Sequence, residues 1–389
     1  MIIHTVKSGD TIFNIARKYG VPPQKIIENN ELHNPDRLTV GEKLLIFTPT
    51  RSYSARANDT LSDISDRFGV PIGELKRKNP YLNGKEALYP GQILTVKTPE
   101  PTYGIGIANG YCYRGATEER LDLALPYLSY LTVGGARIKS GTAETVFKAD
   151  NIVSQARECG VMPLLRVYDQ ERDFDERKRE SILSAALSGN YGGVTIAAWM
   201  GMKEAKAACE EHLARLHEMA KERGLKLFLE VDGNNDYSHG ETADAYVLYY
   251  DKCHMKSIPS FDEGERRTLE GYSDRQKPEK AFIDISSVAY SGSEALSKAE
   301  AIRLAQGAGK EIDFDKALLV SSYEYYKYQK GIRETIRVAF ETAENIKAKL
   351  DLIRELGFMG IAFDIMQIPC EYLLMFDELY KIPERHPEM

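Results

Sequence analysis

The sequence predicts an α/β protein in which a (β/α)8 TIM barrel follows two small α+β modules. A repeated segment fills the first quarter of the 389-residue chain, and a short proline-containing linker follows it at residues 98–101. From there to the end, apolar strand-like runs alternate with helical patterns, which is the order of elements in a barrel of about 250 residues. We expect modules over residues 1–48 and 51–98 and the barrel over residues 102–389.

Composition excludes several classes of protein. Hydrophobic residues make up 43% of the chain and charged residues 28%, which is ordinary for a globular protein. A net charge of -7 argues against nucleic acid as a partner, and no apolar run reaches the roughly 20 residues that span a bilayer. The five scattered cysteines form no C-x-x-C pair, so we expect neither disulfides nor a metal, and no cofactor. Met1 runs directly into a predicted strand, so we expect no secretory signal and synthesis in the cytoplasm.

Each copy of the repeat is predicted to fold as strand, helix, helix, strand. Asp10 and Asp59 stand where a helix N-cap belongs, just before an apolar run with helical spacing. Gly20 and Gly69 stand where a glycine ends a helix. Asn58 takes the place that Gly9 has in the first copy, and because asparagine tolerates left-handed backbone we expect that turn to be retained.

Both copies resemble LysM domains, on the ordered pattern that runs from His4-Thr-Val-Lys-Ser-Gly-Asp-Thr-Ile12 to Leu38-Thr-Val-Gly41 and recurs from residue 53. The resemblance implies binding of N-acetylglucosamine polymers such as peptidoglycan or chitin, in a groove between the loop that opens the first helix and the loop before the last strand. Alternatively, these residues are only helix caps. The implied groove residues are Gly9, Asp10, Thr11, Ile12, Pro35 and Leu38 in the first module, and Asp59, Thr60, Leu61, Pro80 and Leu82 in the second.

Eight apolar runs predict the barrel strands, and four long amphipathic stretches predict helices among them. A tyrosine-rich segment predicts a β-hairpin over residues 317–340, inserted before the last of these helices. One face of this hairpin is expected to pack, with a carbohydrate or protein contact as the alternative. The predicted strands are Gly104–Gly110, Leu128–Val133, Met162–Val167, Gly193–Trp199, Leu225–Val231, Ala245–Tyr250, Ala281–Ser286 and Gly360–Ile365, and the predicted helices are Val146–Cys159, Lys203–Arg223, Lys298–Gln306 and Ala343–Leu356.

The barrel resembles family 18 glycoside hydrolases, in particular the LysM-bearing N-acetylglucosaminidases of bacterial spores. The resemblance rests on Gly110-Tyr111, Tyr191-x-Gly193-Val194, Val247-Leu-Tyr-Tyr250 and Gly360-Ile-Ala-Phe. It implies substrate-assisted retention, an exception to the two-carboxylate mechanism. In that mechanism a glutamic acid protonates the leaving oxygen, and an aspartate two residues earlier orients the acetamide of the substrate.

The family's acids are replaced on the predicted fourth strand. Residues i, i+2 and i+4 of a strand share one face, which here carries Thr195, Ala197 and Trp199. By the resemblance, Trp199 takes the position of the general acid and Ala197 that of the aspartate, while Tyr250 is retained. Loss of a general acid alone costs about 10²–10⁴ in rate. We therefore expect a barrel that has lost hydrolysis, with Trp199 either filling the mouth or stacking on a sugar.

Other acids could supply a relocated active site. Glu230, Asp232, Asp251 and Asp364 end predicted strands at the face where barrel enzymes place their chemistry. They could form an acid pair, or a metal site with His254; the alternative is that they are hydrogen-bonded strand ends or pair with Arg166.

The leading prediction of function is a protein that binds peptidoglycan or another N-acetylglucosamine polymer in the spore cortex or coat, with spore proteins as further candidate partners. The alternative is an active N-acetylglucosaminidase that uses relocated acids, and a third hypothesis is a scaffold. The resemblance supports a spore protein deposited from the mother cell.

Overall fold

The computed structural model describes most of the chain. Within the described ranges no helix is both long and apolar enough to cross a bilayer. The described residues are 1–82, 87–169, 171, 175–197, 206–232, 242–249, 269–273, 277–285, 288–291, 294–315, 320–329 and 332–384.

The first module pairs two short strands and packs two helices on them. Strand β1 (Ile2–Thr5) runs antiparallel to β2 (Lys43–Ile46), with α1 (Ile12–Tyr19) and α2 (Pro23–Asn29) between them in sequence. The apolar face of α1 is buried against β2. The buried side chains of this module form a hydrophobic core of their own. Gly20 ends α1 in the left-handed conformation at φ 69°, as predicted.

The second module repeats this arrangement. Strand β3 (Arg51–Ser54) pairs antiparallel with β4 (Ile93–Lys97), and α3 (Leu61–Phe68) and α4 (Ile72–Lys78) connect them. Its apolar residues form a second separate core. The strand–helix–helix–strand order predicted from the repeat is therefore present in both copies.

Helices α1 and α3 each begin one residue later than the sequence predicts. Their N-caps are Thr11 and Thr60, whose hydroxyl oxygens accept hydrogen bonds from backbone N–H groups of the first turn. Asp10 and Asp59 instead accept, at 2.8 Å in both modules, the backbone N–H three residues earlier. The two carboxylates close the tight turn before each helix. The N-cap is therefore the next residue, a threonine in the extended conformation, whose hydroxyl caps the helix.

The turn before this cap is retained in the second module. Asn58 adopts φ 67°, close to the φ 83° of Gly9. Asparagine is one of the few side chains that tolerate this left-handed region, so the substitution leaves the geometry in place.

Eight parallel strands close the barrel, because its first strand pairs with both the second and the last. Strand β7 (Thr142–Thr145) extends the second barrel strand as an antiparallel hairpin. The first strand lies later than predicted, since Ile105 forms only an isolated bridge to Lys381. The barrel strands are β5 (Ala108–Cys112), β6 (Tyr130–Lys139), β8 (Met162–Tyr168), β9 (Gly193–Ala197), β10 (Lys226–Asp232), β11 (Ala245–Tyr249), β12 (Ala281–Asp284) and β18 (Gly360–Asp364).

Helices cover the outside of the barrel and produce two packed layers. Alternate strand residues face outward into a large core shared with the helices, and the others fill the barrel interior. The described helices of this domain are α5 (Glu118–Ala124), α6 (Asp150–Glu158), α7 (Glu176–Ser188), α8 (Lys206–Glu222), α9 (Lys298–Ala308), α10 (Ala343–Glu355) and α11 (Cys370–Leu379).

A five-stranded antiparallel sheet is inserted between β12 and β18, where the sequence predicts only a hairpin. The predicted hairpin is its longest part, with Tyr323 buried and Tyr328 70% exposed on opposite faces. The other strands have three or four residues, too few for a clear alternation. Helix α9 packs on this sheet, whose strands are β13 (Val288–Ser291), β14 (Glu294–Ser297), β15 (Asp313–Asp315), β16 (Val320–Gln329) and β17 (Ile332–Glu341).

The two modules are docked against the barrel domain. The N–H of Ile312 donates to the carbonyl of Val40 at 2.8 Å, which joins the first module to the inserted sheet domain. Phe47 of the first module joins the large outer core of the barrel. In the second module, Arg77 donates from Nε to Asp377 of α11 at 2.6 Å, in a buried ion pair.

Candidate functional sites

The inward face of β9 carries two small side chains. Thr195 is fully buried, and its hydroxyl lies 3.3 Å from that of Thr132 on β6. Ala197 is buried with the same orientation, while Ile196 between them belongs to the outer core. The period-two argument from the sequence thus places Thr195 and Ala197 as expected. Trp199 lies outside the described residues.

Glu230 is held by an arginine and a tyrosine. Arg166 donates to both of its carboxylate oxygens, at 2.7 Å each, and Tyr113 donates to Oε1 at 3.2 Å. The guanidinium also lies 4.0 Å from the centre of the Tyr113 ring. The side chain of Glu230 is only 3% exposed. Bidentate pairing of this kind fixes the orientation of both the guanidinium and the carboxylate.

This ion pair spans β9 on the inside of the barrel. Strands β8 and β10 flank β9, and Arg166 is in register with Thr195. Glu230 follows Leu229, the partner of Ile196, and is therefore beside Ala197. Because the side chains at 195 and 197 are small, the ion pair can occupy the space above them. By the resemblance, position 197 is that of the family's aspartate.

A second hydrogen-bonded pair lies beside the first. Tyr111 donates from its hydroxyl to Asp284 Oδ1 at 2.9 Å, and its ring stacks on that of Tyr113 with centroids 4.8 Å apart. Burial, with Asp284 nearby, raises the pKa of Tyr111 well above its usual value, so the phenol stays a donor. Tyr113 was not singled out from the sequence; its position two residues after Tyr111 is the signal that could have identified it.

The remaining strand-end acids make separate hydrogen bonds and ion pairs or lie outside the described residues. Asp364 accepts the N–H of Met366 at 2.9 Å and begins the turn after β18, and burial raises its pKa. Asp169 pairs with buried Lys178 at 3.1 Å. Only the backbone of Asp232 is described. Tyr250, Asp251 and His254 lie outside the described residues. Among the residues that the structure describes, no group of three or more His, Cys, Asp or Glu side chains could hold a metal ion.

In the first module the predicted groove residues differ in accessibility. Gly9 and Thr11 are exposed, but Ile12 is 3% exposed and belongs to the module core. Asp10 accepts a hydrogen bond from His4 Nε2 at 2.9 Å when that nitrogen carries the proton. Pro35 and Leu38 are half-buried.

In the second module three predicted groove residues are buried. Pro80 and Leu82 form a 3-10 turn, and Leu82 is 4% exposed within the module core. The position that matches Leu38, three residues before the glycine of the last turn, is Leu88. Asp59 and Thr60 lie at the surface as their counterparts do, whereas Leu61 is buried; residues 83–86 of the second loop lie outside the described residues.

Comparison with known proteins identifies the two modules. The LysM domain model matches residues 4–47 and 53–97. The cell wall-binding protein YocH of Bacillus subtilis (strain 168) is 38% identical over 97 residues, 24% of this chain and 33% of that protein. The chain spans about a third of the length of the curated relatives it matches first. The predicted LysM modules are therefore confirmed.

Solved structures match the whole chain. The spore cortex-lytic enzyme SleL of Bacillus megaterium QM B1551 superposes with a TM-score of 0.75 at 22% identity, over 99% of both chains. A chitinase of Chromobacterium violaceum ATCC 12472 gives 0.60 at 15% identity, over 71% of this chain and 99% of that one. At these identities the likeness establishes the fold alone: two small modules followed by a (β/α)8 barrel, as predicted.

Proposed function

We propose that this protein binds an N-acetylglucosamine polymer of the bacterial cell wall and does not hydrolyse it. The LysM match over both modules supports the binding, together with the similarity to a cell wall-binding protein. We place the protein in the spore cortex or coat, because the structure that it matches over its full length is that of a spore cortex-lytic enzyme.

The observation that carries the loss of hydrolysis is the inward face of β9. Thr195 and Ala197 are buried there, and neither side chain can serve as a carboxylic acid. The Arg166–Glu230 pair fills the adjoining space, so a substrate acetamide would meet an ion pair instead of an orienting aspartate. Without that aspartate nothing on this strand stabilises the charge that develops in the transition state.

Glu230 is also a poor replacement for the missing general acid. Both of its carboxylate oxygens accept hydrogen bonds from Arg166, and Oε1 also accepts one from Tyr113, so a leaving oxygen would have to displace these donors before Glu230 could transfer a proton to it. Of the four acids suggested for a relocated site, Asp364 has a pKa that burial raises, which is a property that an acid catalyst needs. It therefore belongs in any test of the alternative, a glycosidase with relocated acids.

The test measures binding and cleavage on the same samples. Intact protein is incubated at length with spore-cortex peptidoglycan and with N-acetylglucosamine oligomers, and new reducing ends and pelleted protein are quantified. The comparison is a variant with Glu230, Asp232, Asp251 and Asp364 changed to their amides, and a family 18 chitinase is the positive control. We expect pelleting without release. Release that the variant loses would establish a relocated active site and overturn the proposal.

A further inference from the structure

A cavity of about 250 Å³ lies where the first LysM module, helix α9 and the loop after β18 meet. Residues 30–34, together with Leu38, form the wall on the module side; Ala299 and Ile302 line it from α9, and Met366 from the loop. None of residues 9–12 is among the described lining residues. The cavity therefore does not include the first groove loop, although Leu38 of the second groove loop forms part of its wall.

Two pairs of charges in this wall are compensated within the protein, and buried Glu42 accepts a hydrogen bond from the backbone N–H of Thr39 at 3.2 Å. Lys298 donates to Glu371 Oε1 at 2.5 Å, with side chains 12% and 3% exposed. Glu31 lies 3.9 Å from Arg120, which donates its other hydrogen bonds to backbone carbonyls after β18. A ligand with a net charge would have to compete with these pairs. The wall therefore favours a neutral ligand.

One buried acceptor in the wall lacks a donor. Within the part of the chain that the structure describes, Glu371 Oε2 receives no hydrogen bond, although Lys298 holds the other oxygen of the same carboxylate. A buried oxygen without a donor costs free energy, and this one lies behind the wall with no accessible surface, so it does not itself contact the cavity. Neighbouring polar side chains, Asn34 and Gln306, offer hydrogen bonds.

The geometry points to a subsite for one neutral N-acetylated sugar residue in this cavity, next to the glycan that the first LysM module holds. Apolar side chains such as Ile302 suit the flat face of a pyranose, and the polar wall suits its hydroxyls and amide. The volume lies just below the roughly 300–1,000 Å³ of drug-sized pockets, which suits a single ring. The identity of the sugar rests on the proposed function.

The walls of this subsite are fixed before a ligand arrives. A Cβ on Gly41 would lie 1.7 Å from the carbonyl oxygen of Ile312, so the backbones of the module and the inserted domain are in direct contact. Arg37 and Gln306 exchange two hydrogen bonds between side chain and backbone at the same junction. Preorganised walls reduce the entropy lost on binding.

The test is a titration of the full chain with free N-acetylglucosamine, followed by NMR of the Ile302 δ1-methyl group. We expect a saturable shift. Ala299→Phe fills the cavity and should weaken this binding at least tenfold. Ala308→Phe, on the same helix but exposed and outside the lining, is the matched control and should leave the affinity unchanged. Ala299→Leu is a smaller intrusion to use where phenylalanine disturbs folding.

Two results would overturn the subsite: no movement of the methyl resonance up to the solubility limit of the sugar, or equal affinities in Ala299→Phe and the control. Pelleting with peptidoglycan is measured on the same proteins. If the protein pellets with peptidoglycan but the Ile302 methyl resonance does not move, the subsite is ruled out and the proposed function is retained. If the unmodified protein does not pellet with peptidoglycan, the proposed function is ruled out. A saturable shift of the methyl resonance would then still support a sugar site in the cavity.

Discussion

Arg166 and Glu230 are joined by two hydrogen bonds of 2.7 Å that pass over the inward face of β9. The bridge depends on the small side chains of Thr195 and Ala197 beneath it. A carboxylate at 197 would stand beside Glu230 and compete with it for the same guanidinium. The ion pair and the small side chains at 195 and 197 are thus two aspects of one arrangement.

We predict that Glu230→Gln destabilises the barrel. The substitution leaves a largely buried guanidinium without this carboxylate, and breaking a buried pair in this way costs about 3 kcal/mol. Chemical denaturation measures the change. The double variant Arg166→Met/Glu230→Leu removes both charges and should recover most of the loss. A single variant as stable as the parent would show that the pair contributes little.

We predict that the contact between the two LysM modules strengthens as pH rises above 7. Lys25 donates to Asn79 Oδ1 at 3.1 Å, and burial lowers the pKa of its amine from 10.5 to about 7. Between pH 7 and 10 the unfolded chain binds the proton and the folded protein does not, so the free energy of unfolding increases with pH. Thermal denaturation across this range should show the increase, and Lys25→Met should abolish it. An increase of the same size in the variant would assign the effect to another group.

We predict that Gly41→Ala is more harmful than Gly91→Ala. Both glycines have positive φ, 87° and 85°, so each substitution costs about 1 kcal/mol in backbone strain. Only at Gly41 does the added carbon meet another domain, at the carbonyl of Ile312. Faster hydrogen exchange of the Ile312 amide, which donates to Val40, would report the lost docking. Equal effects of the two substitutions would rule out a docking role for this turn.

We predict that Thr11→Ala and Thr60→Ala each reduce stability by about 1 kcal/mol, because each hydroxyl caps a helix. Serine at either position keeps the cap and should retain most of the stability. Asp10→Asn and Asp59→Asn should act on the preceding turn instead. Unfolding curves for the set are the measurement, and unchanged stability in both alanine variants would contradict the capping assignment.

The sequence predicted the two modules and the barrel because each rests on a local and repeated pattern. The repeat preserves the glycines that end its first helices, Gly20 and Gly69, and period-two alternation predicts the inward orientation of Thr195 and Ala197. The groove residues of the second module were harder to place. Pro80 and Leu82 follow the helix as Pro35 does in the first module, but a 3-10 turn carries Leu82 into the core. Spacing in one chain does not reveal such a turn.

The two LysM modules, the barrel that follows them and the absence of acids at 195, 197 and 199 of the predicted fourth strand can all be read from the amino-acid sequence. These are properties of neighbouring residues and of short periods. The pairing of Arg166 with Glu230 over that strand, and the cavity between the first module and α9, emerge from the folded chain. Both contacts join residues far apart in sequence, and closure of the barrel and docking of the module bring them together.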